Sequence, residues 1–238
     1  MFSESAELYD LIYARFKDYP AEARQVADLL GTVHARGRTI LDVACGTGEH
    51  ASLLAAHHGF AVDGLDLDPA FVRLARAKHP TGRFYDGDMV DFHLGRRYDA
   101  VVCLFSSIGY VRTLPQVRRA LQCFREHVAE DGVVIVEPWF TPDALQPGYT
   151  NTRTVEVPGL RIVRVSHTEV DGRLSRLRFD YEIAGPEGHR RASEVHELGL
   201  FTTDEMLRSF ESAGLVAEYD SVGLCGRGLY VAKPGSLK

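Results

Sequence analysis

The 238-residue sequence predicts a doubly wound, mostly parallel α/β sheet of seven strands with an antiparallel β insertion. Three observations lead there. From about Asp18 to Glu137, apolar strand-like runs alternate with amphipathic helical runs, the pattern of a parallel sheet covered on both faces. Between about Phe140 and Phe201 the pattern changes to strand-like alternation, with turn pairs at Asp171-Gly172 and Gly185-Pro186, as antiparallel hairpins require. A capped helix and two further strands then close the chain. On this reading residues 1–138 and 202–238 form the parallel-sheet domain, and 139–201 form the insertion, a lid or dimer surface.

The elements follow in order. Pro20 stands where a first helical turn tolerates proline, and Ala23, Val26, Ala27 and Leu30 follow at helical spacing. Thr39 to Val43 is a buried strand, followed by a glycine-rich turn and a helix through about His57. Phe60 to Leu67 is a second strand, and Asp68-Pro69 starts a helix with Phe71, Leu74 and Ala75 on one face. Arg83-Phe84-Tyr85 is a short strand, and Tyr98 to Phe105 a central one. Pro115 opens a helix with Val117, Ala120, Leu121 and Phe124 inward, and Gly132 leads into the strand Val133 to Val136. Thr202-Thr203-Asp204-Glu205 is a capping box whose helix ends at Gly214. Leu215 to Val222 and Leu229 to Ala232 form the closing strand pair.

Composition excludes several classes. Lys and Arg number 27 against 33 Asp and Glu, a net charge of -6, which argues against nucleic acid as partner, since phosphate contacts favour a basic field. No apolar run approaches the roughly 20 residues that span a bilayer. Met1 to Ser5 lacks the pattern of a secretion signal, so a cytoplasmic setting is expected. Cys45, Cys103, Cys123 and Cys225 are scattered without a CxxC pair, and the ten histidines have no metal-ligand spacing. No metal is expected, and the cysteines read as small buried residues in a reducing compartment.

The chemistry concentrates at strand ends. Asp42-Val43-Ala44-Cys45-Gly46-Thr47-Gly48-Glu49-His50-Ala51 joins a strand to a helix, and its glycines permit a tight turn and close approach of backbone to ligand. Gly46, Gly48 and Ala51 also fit the looser dinucleotide fingerprint. Three acids redirect the reading. Asp42, before the glycines, would repel a pyrophosphate and accept a cationic ammonium. Asp66 ends the second strand, where a carboxylate accepts ribose hydroxyls. Gly87-Asp88-Met89 follows the third strand, with a carboxylate for an adenine amino group and a thioether to pack on the ring. Asp68 reads as a helix cap.

Together these segments resemble the class I S-adenosylmethionine-dependent methyltransferases, which have a Rossmann-like fold. The resemblance covers about Asp18 to Glu137 and the final strand pair. It implies that Ala44, Gly46 and Gly48 line the methionine moiety, that Asp66 with Leu67 holds ribose, and that Asp88 and Met89 hold adenine. It sets Leu104 to Ser106 beneath the sulfonium and adds Tyr13 and Tyr19 to the cofactor's contacts.

A narrower resemblance runs almost end to end. Tyr9-Asp10-Leu11 with Tyr13, Lys17-Asp18-Tyr19, Asp91-Phe92, Leu94-Gly95-Arg96, Phe105 to Tyr110, Glu137-Pro138-Trp139, Arg164 to His167, and Ser221 to Tyr230 with Gly226-Arg227-Gly228-Leu229 are similar to the TDP-amino-sugar N,N-dimethyltransferases of antibiotic sugar pathways. That family implies a TDP-linked amino sugar as acceptor, successive N-methylations, and a homodimer built through the insertion. Its acceptor pocket maps onto Tyr13, Arg15, Tyr110, Trp139, Tyr149, Arg164, Ser166, His167, Arg176 and Arg227. Arginines suit a pyrophosphate, through forked charge-assisted hydrogen bonds, and aromatics suit thymine and sugar faces. Phe140 stands where a second aromatic follows the Glu-Pro-Trp, and two positions depart from the pattern: Phe2 stands where a tyrosine reaches the sugar, and Glu197 where an arginine follows His196.

The implied reaction is in-line displacement at a sulfonium methyl by a neutral amine, so the protein mainly aligns its partners. Tyr110 or His167, through a water, is the expected base. Two alternatives stand beside this one: a small-molecule N- or O-methyltransferase with a non-sugar acceptor, and a cofactor-binding regulatory protein without catalysis. Asp42 and the absence of a Tyr-x-x-x-Lys or comparable proton relay after the fourth strand disfavour an NAD-dependent oxidoreductase.

Overall fold

The computed structural model describes residues 6–34 and 37–235; Phe2 and the Met1 to Ser5 segment lie outside them. Seven strands form the main sheet: β1 (Thr39–Val43), β2 (Ala61–Asp66), β3 (Phe84–Asp86), β4 (Tyr98–Cys103), β5 (Val128–Val136), β10 (Leu215–Asp220) and β11 (Leu229–Pro234), in the order β10-β11-β5-β4-β1-β2-β3. Neighbours from β5 through β3 pair in parallel, while β11 runs antiparallel to both β5 and β10. The chain winds outward from β1 to β3 and then returns to place β4 on the other side of β1. Order therefore reverses between β1 and β4, and open α/β sheets bind ligands beyond the strand ends at such a reversal.

Helices cover both faces. α2 (Tyr19–Val33), α3 (Glu49–His58) and α4 (Pro69–Lys78) bury Val26, Leu30, Leu54 and Val72 on one face. α5 (Leu114–His127) and α6 (Thr203–Ser212) bury Leu121, Phe124, Met206 and Phe210 on the other. The expected caps are in place. Asp68 accepts the Ala70 N–H at 2.8 Å, and Thr202 and Glu205 satisfy one another's backbone donors. Strand β5 begins earlier than Gly132 predicts, at Val128, and its pairing with β4 shifts register between Tyr98 and Ala100; the extra residues form a bulge that polar Glu130 and Asp131 tolerate.

The insertion is a second, four-stranded antiparallel sheet: β6 (Thr150–Val157), β7 (Leu160–Asp171), β8 (Leu174–Gly185) and β9 (Gly188–Gly199). Its inner face holds Ile162, Phe179, Tyr181 and Ile183, packed on Ile12 of α1 (Ala6–Tyr13). Burying a side chain such as Ile12 contributes about 1.5–3 kcal/mol, so the second sheet anchors α1. This helix was absent from the sequence expectation, which starts the first helix at Pro20. With α1 in place, Tyr9 and Tyr13 stand over the C-terminal ends of the parallel strands.

Candidate active site

A crevice of about 1240 Å³ opens between the parallel strand ends, α1 and the second sheet. Ala44 and Gly46 line it beyond β1, Asp66 and Leu67 beyond β2, Asp88 and Met89 beyond β3, and Phe105 and Tyr110 beyond β4. The turn after β1 is tight: Gly48 N–H donates to the Cys45 carbonyl at 3.0 Å. Gly46 has φ +56°, and a Cβ there would meet nothing within 4 Å, so its bare backbone faces open space. Gly48 differs, because a Cβ on it would lie 2.9 Å from the Ala75 Cβ. That close approach lets α3 pack on α4, and Gly48 lines neither this crevice nor the recess beside it. Ala44, Phe105 and Ser106 all adopt φ between 53° and 61° without being glycine, and such strain gathers at ligand sites.

Two carboxylates dominate this wall. Asp66 accepts the Gly46 N–H at 2.8 Å and the Asp68 N–H at 2.9 Å, so both its oxygens are held by backbone. Burial raises its pKa against those bonds. Asp42 is buried, and its Oδ2 has no hydrogen-bond partner among the described residues. Burial, with Asp66 nearby, pushes its pKa up to about 8. A small adjoining cavity of about 40 Å³ touches Asp42, Tyr9, Tyr19, Leu104 and His50. Tyr19 and Leu104 therefore line this recess and not the main crevice.

The opposite wall carries long polar side chains. Arg164 is buried 5.1 Å from the Tyr13 ring and 4.7 Å from the Phe179 ring, and its Nε and Nη1 have no hydrogen-bond partner among the described residues. Arg227 donates from Nη2 to Glu137 at 2.8 Å and lies over Phe105 and Trp139. Trp139, Tyr149 and Ser166 also line the crevice. Tyr110 Oη lies 3.1 Å from His196 Nδ1. Burial, then Tyr13 and Glu194, hold the Tyr110 phenol well above its ordinary pKa.

Three expected acceptor residues lie elsewhere. His167 is on β7 between Ser166 and Thr168, which line the crevice; strand alternation turns it to the outer face, where Nε2 is 3.5 Å from Asp180. Arg176 is on the outer face of β8 and pairs with Glu197 and Asp171. Arg15 is exposed just beyond α1 and lines neither cavity. The sequence reading missed Tyr9, Lys17, Glu137 and His196 as site residues. Alternation could have found His196, since it shares a β9 face with Leu198, another crevice residue. Lys17, paired with Glu22 and lying 4.2 Å from the Phe105 ring, gave no such signal.

Known proteins resemble this arrangement throughout its length. The methyltransferase-domain family matches residues 40–132. The dTDP-3-amino-3,6-dideoxy-alpha-D-glucopyranose N,N-dimethyltransferase of Streptomyces fradiae is 43% identical over 235 residues, covering 98% of this chain and 92% of the relative. The chain belongs to the S-adenosylmethionine-dependent methyltransferase family. The solved structure of DesVI from Streptomyces venezuelae superposes with a TM-score of 0.92 at 40% identity, over 97% of this chain and 98% of that one. That of CalS10, an amino pentose methyltransferase from Micromonospora echinaspora with S-adenosylmethionine bound, gives 0.88 at 36% identity, over 95% and 96%.

The crevice of this methyltransferase fits the cofactor on its own features. In the recess beside it, Asp42 has a buried oxygen without a partner among the described residues, of the charge that suits a methionyl ammonium. Asp66 keeps free lone pairs for ribose hydroxyls, because each oxygen accepts only one of the backbone bonds named above. Gly46 leaves space for close approach.

Proposed function

We propose that this methyltransferase N-methylates the amino group of a nucleotide-linked amino sugar. The observation that carries the reading is the whole-length identity to a dTDP-amino-sugar N,N-dimethyltransferase, which extends over the second sheet as well as the cofactor domain. The walls agree with it: arginines and aromatics opposite the cofactor side suit a diphosphate, a base and a sugar.

When bound, S-adenosylmethionine supplies a sulfonium methyl as electrophile. Asp42, Asp66, Asp88 and Met89 hold the cofactor. Arg164, Arg227, Trp139 and Tyr149 hold the acceptor across the crevice. Orientation of this kind contributes about 7–11 kcal/mol in favourable systems, and it is the protein's main contribution here. The acceptor amine must be neutral to attack. Tyr110 keeps its own proton, so it takes one from the amine only by passing its hydroxyl hydrogen to His196, 3.1 Å away. His196 thus takes the place first expected for His167.

The same reading makes the parallel sheet the cofactor domain and residues 139–201 an acceptor lid. It also implies a cytoplasmic homodimer joined through the second sheet and serving antibiotic-sugar biosynthesis. Sedimentation measures the oligomer directly. Calorimetric titration tests the activity: S-adenosylhomocysteine and TDP both bind if the reading holds. Binding of the first alone keeps the methyltransferase and removes the nucleotide sugar.

A further inference from the structure

Glu137 follows β5 at the start of Glu137-Pro138-Trp139, and it is wholly buried, with 0% exposure. A buried carboxylate is costly unless donors surround it. Here three do. Oε2 accepts the Phe105 N–H at 2.6 Å, and Oε1 accepts Arg227 Nη2 and Cys225 Sγ, each at 2.8 Å. Burial and the neighbouring carboxylate push the Cys225 thiol up to about 11, so it remains a donor at neutral pH.

These donors belong to segments far apart in sequence. Phe105 lies in the strained turn after β4, with φ 53°. Cys225 and Arg227 lie in the loop between β10 and β11, whose internal bonds are short-range: Val222 and Gly223 N–H to Asp220, and Gly226 N–H to the Val222 carbonyl. Gly226 and Gly228 flank Arg227 at φ 82° and 86°, so the local backbone does little to restrict where the arginine goes. Glu137 supplies the restriction. Its bond takes Nη2 and leaves Nε without a partner among the described residues, with the guanidinium between the Phe105 and Trp139 rings. An Nε–H held in this way, with the guanidinium charge behind it, makes a charge-assisted bond to a phosphate oxygen.

We propose that Glu137 is the positioning residue for the acceptor: its carboxylate fixes the Arg227 guanidinium to receive the acceptor's diphosphate. Through the Phe105 N–H it also ties that arginine to the turn beneath the reacting methyl. The proposal rests on the nucleotide-sugar reading above.

The test titrates TDP and S-adenosylhomocysteine into the wild type, Glu137→Gln, Arg227→Ala and the double variant. The glutamine keeps one acceptor oxygen for Phe105 and turns an amide donor toward the guanidinium. TDP affinity should fall about tenfold or more in each single variant. It should fall no further in the double variant, with S-adenosylhomocysteine affinity held within about threefold. Losses that add in the double variant, or unchanged TDP binding by Glu137→Gln beside weakened binding by Arg227→Ala, overturn the positioning role alone. TDP that fails to bind the wild type overturns the acceptor reading and this proposal together. Should Glu137→Gln not fold, Arg227→Lys decides: it keeps the charge without the Nε–H that Glu137 orients and should lose TDP as Arg227→Ala does. Wild-type TDP affinity in Arg227→Lys overturns the proposal.

Discussion

The two walls of the crevice are built from different materials. The parallel-sheet wall is mostly backbone and short carboxylates, and its key group, Asp66, is fixed by two backbone N–H donors. The opposite wall is made of long side chains, from the second sheet and from the segments after β5 and β10, that leave buried polar atoms without partners among the described residues: Trp139 Nε1, Arg164 Nε and Nη1, and Arg227 Nε. Buried polar groups are ordinarily satisfied, so these atoms mark where a ligand's polar groups belong. On the proposed reading the cofactor wall is organised before anything binds, apart from Asp42, and the acceptor wall is completed by its ligand.

That contrast breaks most visibly at Asp66. On the proposed reading Asp66→Ala removes two charge-assisted bonds to ribose, each worth about 1.5–3 kcal/mol, so S-adenosylhomocysteine should bind at least about a hundredfold more weakly. It also strands the Gly46 N–H, so the turn itself loosens. TDP affinity should stay near wild type in the same calorimetric experiment. A parallel loss of TDP would mean the walls are not independent.

Asp42 sharpens the comparison through pH. Its folded pKa of about 8 lies above its ordinary value of 3.8. The stability linked to this group is therefore fully present below about pH 4 and lost as pH rises toward 8. Asp42→Asn should thus melt higher than the wild type at pH 8 and alike at pH 4 in thermal scans of the free protein. It should bind S-adenosylhomocysteine about tenfold or more weakly, because the ammonium loses its buried counter-charge. Wild-type binding near pH 7 should also release protons, seen as a calorimetric enthalpy that changes with buffer. A buffer-independent enthalpy would place the ammonium elsewhere.

On the other wall, Arg164→Met tests whether the guanidinium, two of whose nitrogens lack a partner among the described residues, waits for an anion. Methionine has a similar length and no charge to bury, so the melting temperature should hold or rise. TDP affinity should fall about tenfold, and S-adenosylhomocysteine affinity should not move. A destabilised variant with intact TDP binding would make Arg164 a structural cation, held by the Tyr13 and Phe179 rings.

The same contrast explains what could be read from residues alone. Strand ends on a parallel sheet are local features: Asp42, Gly46, Asp66 and Asp88 each follow an apolar run, so their places were legible. The second wall depends on register between strands distant in sequence, and on α1. A single step along β7 separates Ser166, which faces the crevice, from His167, which faces away, and no residue pattern in that strand says which parity is inward. Alternating valines at 163 and 165 suggest the opposite face from the one Ile162 and Arg164 occupy. The inward face is set by Ile12 of α1 packing on Ile162 and Phe179, a contact across some 150 residues. Glu137 was noticed only as part of a resemblance, because its partners Phe105, Cys225 and Arg227 meet it only in the folded chain.

The smallest effect is expected at the residue that the parity decides. His167→Ala removes an outer-face imidazole that is about one-third exposed and pairs loosely with Asp180, so stability should change by no more than about 0.5 kcal/mol. Methyl transfer should proceed at the wild-type rate with an unchanged pH profile. His196→Gln removes instead the group that receives the Tyr110 hydrogen, and it should lower the rate most on the acid side, where the acceptor amine must lose a proton before attack. If His167→Ala shifted the pH profile and His196→Gln did not, β7 would have to slide by one residue against β8, which would carry Arg164 and Ser166 out of the crevice. The pair of variants therefore reads the register of the second sheet, and with it the whole acceptor wall, from enzyme kinetics alone.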